Sequence, residues 1–332
     1  NRVFLTGGDS DVREVYCFSA EDGALLWRHP ATGIAGAPET APEVTSDTGY
    51  AAATMATDGM RVYAIFASGN ILAMTLEGDR IWAHNHGVPE NPYGHASSLL
   101  VHEDLLLVQF DDDNTGRVLA LRTDTGAIAW RVDREVLPCW STPILVSRSD
   151  GPELIVNGNT IAAGYNPRTG AERWRHDCMG GEVAVSPAWW NGTAFIANQY
   201  AKLAAIRLND DGTAHEIWEG YDDLPDVSSP VAWSNQLFMA DSYGVVSCWD
   251  TETGELHWRH EFDEGFYASP IVAAGRIYVT DKHGKTRILA AANTFTELGT
   301  ALLGESSTST PAFVGERVFI RGAKHLFCIG IP

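Results

Sequence analysis

Short runs of alternating apolar and polar residues follow one another along the whole chain, and turn residues bound each run. The segment 276–280, RIYVT, is one such run, with Gly275 before it and the polar pair Asp281-Lys282 after it. Alternation of this kind, with many β-branched and aromatic residues, is typical of β-strands. No segment shows a strong helical period, so the pattern predicts an all-β fold.

A tryptophan recurs in matching sequence contexts at intervals of 55, 48, 44, 44 and 40 residues. In five of the six cases a glycine stands four residues before it at the end of a polar cluster, as in EDGALLW (21–27) and DTGAIAW (124–130). Such a glycine suits a turn that needs a positive φ between two strands. The repeated tryptophans are Trp27, Trp82, Trp130, Trp174, Trp218 and Trp258. The repeat predicts a fold built from similar units.

A second phrase, a Ser or Thr followed by proline, opens most units ahead of an apolar strand, as in Ser269-Pro270 and Thr310-Pro311. Four short strands in every ~40–45 residues are the sequence pattern of a β-propeller blade. Seven complete blades need about 28 strands, whereas the pattern indicates roughly 30. We therefore predict an eight-bladed β-propeller of four-stranded antiparallel blades, with a seven-bladed propeller as the alternative.

The ends of the chain bear on how the last blade is completed. The first unit begins on its second strand and the last stops before a fourth strand, so we expect the N-terminal strand to pair beside segment 317–327. In the seventh unit we place Leu298 where the other units have tryptophan. We expect a single propeller domain over residues 1–332. Its blades cover roughly residues 1–28, 47–84, 96–132, 141–176, 185–219, 227–261, 267–303 and 307–332.

The turn-and-tryptophan motif resembles the pyrroloquinoline-quinone-type propeller repeat of the quinoprotein alcohol dehydrogenase-like superfamily. That repeat is found in quinoprotein alcohol dehydrogenases and in the outer-membrane-assembly lipoprotein of Gram-negative bacteria. The resemblance covers essentially the whole chain, and the stretch from 94 to 143 is most similar to single-propeller members. It implies that the six repeated tryptophans dock each blade on its neighbour.

The resemblance raises a quinone- or calcium-dependent oxidoreductase as the alternative function. Those enzymes carry two adjacent cysteines under the quinone and long inserted loops with a Ca²⁺ site, and this chain has neither adjacent cysteines nor room for such loops. Asp111 and Asp113 are the weak candidates for metal ligands, in a turn where Asp is ordinary. The sequence therefore favours a non-catalytic scaffold, with neither the quinone nor Ca²⁺ expected as a cofactor.

Charge and composition narrow the range of partners. Hydrophobic residues make up 45% of the chain, enough for a packed core, and 23 Lys+Arg against 43 Asp+Glu give a net charge of −20. So acidic a surface repels nucleic acids and anionic lipids. No apolar run is long enough to span a bilayer. We expect a monomer that is periplasmic or secreted. Because the first residue is Asn1, we expect its signal peptide to lie outside this chain.

The five cysteines form no metal-binding pattern. Cys17, Cys248 and Cys328 lie in similar apolar contexts, so we predict them to be small buried residues inside strands. Cys139 and Cys178 fall in loops before inner strands, at different distances from the proline that follows each. We expect them to remain two thiols, because a disulfide requires Cα atoms within about 7 Å.

The remaining candidate is a binding surface for a protein partner or a small ligand. In a propeller the loops before each inner strand and the turns between the two middle strands gather on one face. Aromatic and basic side chains, which are enriched in interfaces, map to these loops and turns. They are Tyr93, His95, Trp140, Tyr200, Tyr243, Phe266, Tyr267, Lys282, His283, Arg321 and Lys324. The long segment 29–50 is predicted to lie over one face as an insertion.

Overall fold

Residues 1–330 are described by the structure, a computed structural model, and they form thirty β-strands. The strands make eight antiparallel sheets in chain order, six of four strands and the first and last of three. This confirms the predicted all-β, eight-bladed propeller of four-stranded blades, and the seven-bladed alternative is wrong. No helix within residues 1–330 has the length and apolar character needed to cross a membrane.

By packing, the chain divides into two compact units, Asn1–Arg173 and Trp174–Pro332. The first unit contains blades 1 to 4, and the boundary falls within the last strand of blade 4. The assignment of one domain to residues 1–332 stays a prediction. The strands of blades 1 and 2 are β1 (Arg2–Gly8), β2 (Arg13–Ser19), β3 (Leu25–Pro30), β4 (Ala56–Thr57), β5 (Arg61–Ile65), β6 (Asn70–Thr75) and β7 (Arg80–Asn85). Those of blades 3 and 4 are β8 (Leu100–His102), β9 (Leu105–Asp111), β10 (Gly116–Arg122), β11 (Ile128–Arg134), β12 (Ile144–Arg148), β13 (Gly151–Asn157), β14 (Ile161–Tyr165) and β15 (Glu172–Asp177).

The second unit contains blades 5 to 8. The strands of blades 5 and 6 are β16 (Ala188–Trp190), β17 (Thr193–Ala197), β18 (Leu203–Leu208), β19 (Ala214–Gly220), β20 (Val231–Trp233), β21 (Gln236–Ala240), β22 (Val245–Asp250) and β23 (Leu256–Glu261). Those of blades 7 and 8 are β24 (Ile271–Ala273), β25 (Arg276–Thr280), β26 (Lys285–Ala290), β27 (Glu297–Leu302), β28 (Ala312–Val314), β29 (Arg317–Arg321) and β30 (Leu326–Gly330).

The predicted pairing of the N-terminal strand is wrong. Strand β1 pairs with β2 in its own sheet, and β28 to β30 form a separate sheet. In blade 1 the strand that carries the repeated tryptophan is present, so the three described strands hold the second to fourth places. In blade 8 they hold the first to third places. Among the described residues, blade 1 has no first strand and blade 8 has no fourth strand. Strand β1 holds the second place of its own blade, so it does not supply the fourth strand beside β30.

The apolar core of each unit lies between successive sheets. In the first unit, Leu107 of blade 3 belongs to one buried cluster with Leu154 of blade 4. In the second, Phe238 of blade 6 shares a cluster with Ile277 of blade 7. The middle strands are buried along their whole length, as in β9 and β21, because both of their faces meet a neighbouring blade or strand. Their continuous apolar runs follow from this burial.

The repeated tryptophans lie on the fourth strand of their blades, and Trp27, Trp82, Trp130, Trp218 and Trp258 bond to the next blade. Trp82 Nε1 donates a hydrogen bond to the carbonyl oxygen of Thr123 at 3.0 Å, and Trp218 Nε1 donates to that of Thr251 at 3.0 Å. Trp27, Trp130 and Trp258 make the corresponding bonds to Leu76, Pro167 and Ala292. Such contacts are those that docking between blades needs, and the docking role stays a prediction.

The seventh blade departs from the predicted register by one residue. In blades 1, 2, 3, 5 and 6 a β-bulge places the residue before the tryptophan out of register, so that in blade 6, for example, Trp258 pairs with Cys248. In blade 7, Gly299 pairs with Ile288 and Leu298 is the bulged residue, with 53% of its surface exposed. The assignment of Leu298 to the tryptophan position is therefore wrong. The turn before β27 is one residue longer than that before β23, which shifts the register.

The Ser/Thr phrase before each inner strand joins successive blades through its hydroxyl group. The backbone N–H of Ser186 donates to Ser229 Oγ at 2.9 Å, and the N–H of Ser229 donates to Ser269 Oγ at 2.9 Å. Equivalent bonds join Thr54 to Ser98, Ser98 to Thr142, and Ser269 to Thr310. The repeated Ser or Thr is thus an acceptor for the preceding blade.

The cysteines in strands differ in exposure. Cys17 and Cys248 are fully buried, which confirms their predicted place in strand interiors. Cys328 lies in β30 but is exposed, so its predicted burial is wrong. Burial raises the pKa of the Cys248 thiol to about 12. Burial likewise raises the pKa of Cys139, to about 11.

Candidate partner-binding surface

Two kinds of connection meet at the same end of the sheets within each unit. We call the segments between blades the inter-blade loops and the connections between second and third strands the mid-blade turns. In the first unit, Asp113 N donates to the carbonyl oxygen of Glu90 at 2.9 Å. In the second, Gln199 N donates to that of Pro225 at 3.0 Å. These bonds hold inter-blade loops against mid-blade turns, and we call this end of the sheets the loop end.

In the first unit the sequence-predicted aromatic residues form a supported pair. The rings of Tyr93 and Trp140 meet edge to face with centroids 4.8 Å apart, and Trp140 Nε1 donates to the carbonyl oxygen of Gly94 at 3.2 Å. Thr48, in the insertion 29–50, donates its hydroxyl to the Tyr93 carbonyl at 3.0 Å. Both residues are half-buried, so the pair packs loops together and is only partly accessible to solvent.

His95, predicted as a surface residue, lies in the interior instead. Its ring stacks on Phe110 with centroids 5.0 Å apart, and Nε2 lies 2.9 Å from the carbonyl oxygen of Ser97. Burial lowers its pKa to about 4, so the imidazole is neutral near pH 7. A buried neutral side chain offers no contact to a partner, which removes His95 from the candidate surface.

The predicted insertion begins only after β3 ends at Pro30, and it reaches a mid-blade turn of the first unit. Ala67 N donates to the carbonyl oxygen of Tyr50 at 3.0 Å, and Ser68, which follows Ala67 in the turn of blade 2, is only 1% exposed. The equivalent turn residues of blades 5 and 6 are Tyr200 and Tyr243, which are 61% and 75% exposed. The loop end of the second unit therefore presents the larger exposed aromatic surface.

One inter-blade loop joins the turns that carry these tyrosines. Its Pro225 accepts the backbone bond from Gln199, next to Tyr200, and Asp226 Oδ1 accepts from the N–H of Ser242, next to Tyr243, at 3.0 Å. The side chain of Asp241 caps the same turn, accepting the N–H of Gly244 at 2.9 Å. The tyrosines thus project from turns whose backbone N–H groups are fixed by hydrogen bonds.

The predicted residues of blades 6 and 7 divide between surface and core. Lys282 Nζ lies 5.1 Å from the centroid of the Tyr267 ring and donates to the carbonyl oxygen of Ser242 at 3.3 Å. His283 Nε2 lies 3.0 Å from a carboxylate oxygen of Glu264. Phe266 is fully buried in the core between blades 6 and 7, so its predicted place on the surface is wrong. Its ring packs edge to face against that of Phe262, with centroids 5.9 Å apart.

Arg321 and Lys324 of blade 8 are exposed at the loop end of the same unit. The carboxylate of Glu305 accepts the backbone N–H of Lys324 at 2.9 Å and contacts His325 Nδ1 at 2.8 Å. The bond with His325 lowers the pKa of Glu305 to about 2. In blade 8 the carboxylate that accepts the turn's N–H groups thus comes from Glu305, in the preceding inter-blade loop. In blade 6 it comes from Asp241, which belongs to the turn itself.

The weak metal candidates have other roles. Asp111 is fully buried and pairs with Arg134 at 3.1 Å, while Gln109 Nε2 donates to the same carboxylate oxygen at 2.7 Å. Asp113 is exposed in the turn that follows. Across residues 1–330 no group of three or more His, Cys, Asp and Glu side chains is placed to hold a metal ion.

The sequence pattern missed an acidic and aromatic part of this surface. Tyr221 is 62% exposed at the end of blade 5, and Asp222 and Asp263 are exposed in the two inter-blade loops beside the turn of Tyr243. The signal was present as a run of acidic residues in segments 221–226 and 262–264. Because loop acids are common on any surface, the run alone does not indicate a site.

The sequence matches the family model described as outer membrane protein assembly factor BamB over residues 1–135 and 157–326. The chain belongs to this family. Among its members, BamB of Shewanella oneidensis is 22% identical over 300 residues, 87% of this chain and 69% of that protein. BamB of Yersinia pestis is 23% identical over 286 residues, 83% of this chain and 66% of that protein. The match thus spans about two thirds of the length of these relatives.

Solved structures show the same fold. The crystal structure of BamB from Moraxella catarrhalis superimposes with a TM-score of 0.72 at 15% identity, covering 99% of this chain and 97% of that one. A europium-containing methanol dehydrogenase superimposes with a TM-score of 0.66 at 13% identity, covering 96% and 80%. An assembly factor and an enzyme share this fold, so the fold alone does not assign a function.

Proposed function

We propose that this protein is a non-catalytic propeller scaffold that binds a protein partner in the assembly of outer-membrane proteins. The observation that carries the proposal is the exposure of Tyr200 and Tyr243 on adjacent turns that are fixed by backbone hydrogen bonds. Exposed tyrosines on a rigid support are typical interface anchors, because they bring a large contact area at a small entropic cost. Membership of the BamB family supports the assembly role.

A quinone-dependent oxidoreductase is the weaker candidate. The chain has no adjacent cysteines, and the acidic side chain that was the best metal candidate, Asp111, is engaged by Arg134 and Gln109 inside the protein. A carboxylate already neutralised by a buried guanidinium has little to offer a cation. The residues therefore support neither the quinone nor Ca²⁺ as a cofactor.

The proposal extends to the partners, location and oligomeric state of the protein. A net charge of −20 disfavours nucleic acids and anionic membrane surfaces as partners. Family membership supports a location outside the cytoplasm, in the periplasm or secreted. We propose a monomer, since the exposed aromatic side chains are few and scattered among charges, unlike the apolar face of an obligate dimer.

Site-specific photo-crosslinking in cells tests the proposal. A photoreactive amino acid replaces Tyr243 or, as a control, Glu255, which is exposed in the turn between β22 and β23 at the opposite end of the same blade. We expect adducts from position 243 with a protein of the outer-membrane assembly machinery, identified by mass spectrometry, and none from position 255. Adducts from 255 alone, or only with cytoplasmic proteins, would refute the proposal.

A further inference from the structure

The exposed side chains at the loop end of blades 5 and 6 combine two chemistries. We call Tyr200, Tyr221, Tyr243, Asp222 and Asp263 the tyrosine–carboxylate rim. The three tyrosines are 61%, 62% and 75% exposed, and both aspartates are exposed. Aromatic faces and carboxylates are the two groups that together recognise a cationic side chain.

Hydrogen bonds place the turns of Tyr200 and Tyr243 and the loop residue Asp263 beside one another, and Tyr221 and Asp222 begin the loop that lies between the two turns. Pro225 and Asp226 lie between the turns of Tyr200 and Tyr243, bonded to the residue before each tyrosine. On the other side of Tyr243, the N–H of Phe262 donates to the carbonyl oxygen of Gly244 at 2.8 Å. Asp263 therefore borders the same turn.

Carboxylates outnumber basic side chains around the rim, and Lys202, two residues after Tyr200, is already paired with Glu216 at 2.8 Å and with Glu219 at 2.7 Å. Segments 221–227 and 262–266 contain five carboxylates and neither lysine nor arginine. Asp223 is engaged by Arg259 at 3.2 Å, and Glu264 is engaged by His283 at 3.0 Å. Asp222 and Asp263 remain turned to solvent, where a cationic partner can reach them.

The protein itself pairs a cation with a tyrosine at this end of the unit, since Lys282 Nζ lies over the Tyr267 ring. A guanidinium can stack on a tyrosine face and at the same time donate two parallel hydrogen bonds to a carboxylate, which an ammonium cannot. Resting on the proposed function, we infer that the rim binds an extended, arginine-containing segment of a protein partner. An acidic segment would be repelled by the same carboxylates.

Fluorescence anisotropy with labelled ten-residue peptides tests the inference on the purified full chain. One peptide alternates arginine with serine, and matched peptides carry lysine or glutamate in place of arginine. We expect the arginine peptide to bind more tightly than the lysine peptide by several-fold, and the glutamate peptide not to bind. Exposed cation–π contacts contribute about 0.5–1 kcal/mol each, so Y200A/Y243A should weaken binding by about tenfold.

Two controls separate the rim from general electrostatics. Trp233→Ala removes an aromatic side chain, 36% exposed, at the opposite end of blade 6 and should leave binding unchanged. D222N/D263N should weaken binding and flatten its salt dependence, whereas Glu255→Gln should do neither. The thermal unfolding midpoint of each variant is measured as well and should equal that of the unsubstituted protein.

Equal binding of the arginine and lysine peptides, or binding that Y200A/Y243A leaves intact, would overturn the inference. If crosslinks at position 243 persist in cells while the arginine peptide does not bind, the inference fails and the proposed function stands. If the peptide binds but no assembly protein crosslinks, the proposed function fails and the rim remains a site for arginine-containing segments.

Discussion

Gly126 lies directly against the indole ring of Trp82, the repeated tryptophan of the preceding blade. A Cβ atom at Gly126 would come within 2.7 Å of Trp82 Cε3 and within 2.5 Å of His84 Cδ2. Gly170 has the same relation to Trp130, and Gly254 to Trp218. The glycine and the tryptophan of the sequence motif therefore meet across blades, one from each of two successive copies of the repeat.

Substitution of this glycine should destabilise the protein through two separable effects. Gly126 and Gly23 share a left-handed backbone, with φ of 71° and 73°, but a Cβ at Gly23 meets nothing within 4 Å. We expect Gly23→Ala to lower the free energy of unfolding by about 1 kcal/mol through backbone strain alone. Gly126→Ala should cost about 1–3 kcal/mol more because the added methyl overpacks the tryptophan.

Urea titration of both variants measures the difference. Equal losses of stability at the two positions would mean that the turn conformation, and not the contact with Trp82, explains the repeated glycine.

Loss of one hydroxyl acceptor should weaken the link between blades 5 and 6. Ser229→Ala leaves the N–H of Ser186 without the acceptor that Ser229 Oγ provides. We expect the free energy of unfolding to fall by about 1 kcal/mol, the usual net value of such a bond. Ser229→Thr keeps a hydroxyl and should retain most of the stability; a Thr variant as unstable as the Ala variant would contradict the acceptor role.

His95 should make stability depend on pH. Its folded-state pKa of about 4 lies below the ordinary value of 6.5, so the unfolded chain binds the proton first as pH falls. Stability is fully present above about pH 6.5 and is lost as pH falls toward 4, by up to about 3 kcal/mol. Denaturant titrations at pH 7 and 4.5 should show a smaller loss in His95→Gln, which has no such proton to bind. An unchanged loss would assign the pH dependence to other groups.

Thiol reactivity should follow exposure. Cys328 is exposed, whereas Cys17, Cys139 and Cys248 are buried and burial raises the pKa of each. A thiol reagent added to the native protein near neutral pH should label Cys328 first, because the thiolate is the reactive form. Cys328→Ser should abolish the fast phase. A fast phase that survives this substitution would show that a buried cysteine becomes accessible.

The sequence allowed prediction of features that each repeat contains within itself. The turn glycine and the tryptophan four residues later, as in Gly126 and Trp130, predict the positions of the strands and the number of blades, because the turn geometry depends only on nearby residues. The exposure of Tyr200 and Tyr243 also followed from their turn positions, since the tip of such a turn projects away from the sheet.

Features that depend on partners distant in sequence were not predicted. The bulge that makes Gly299, and not Leu298, the counterpart of tryptophan results from one extra turn residue. Phe266 and His95 are buried by packing between loops and blades that no short window of sequence contains. Asp111 at the end of β9 pairs with Arg134 at the end of β11. No short stretch of sequence contains both residues, so Asp111 and Asp113 alone resembled a metal site.

The contact of Trp82 with Gly126 recurs for Trp27 with Gly78, Trp130 with Gly170 and Trp218 with Gly254, so four joints between successive blades share one geometry. The tryptophan of one of these joints would therefore suit the glycine turn of another. A shortened chain without blade 3 would bring Trp82 opposite Gly170, which in the present chain contacts Trp130. Removal of this whole blade would therefore keep a contact between tryptophan and glycine at the new joint, whereas blade 7, with one extra turn residue before β27, has Gly299 in the position of the tryptophan.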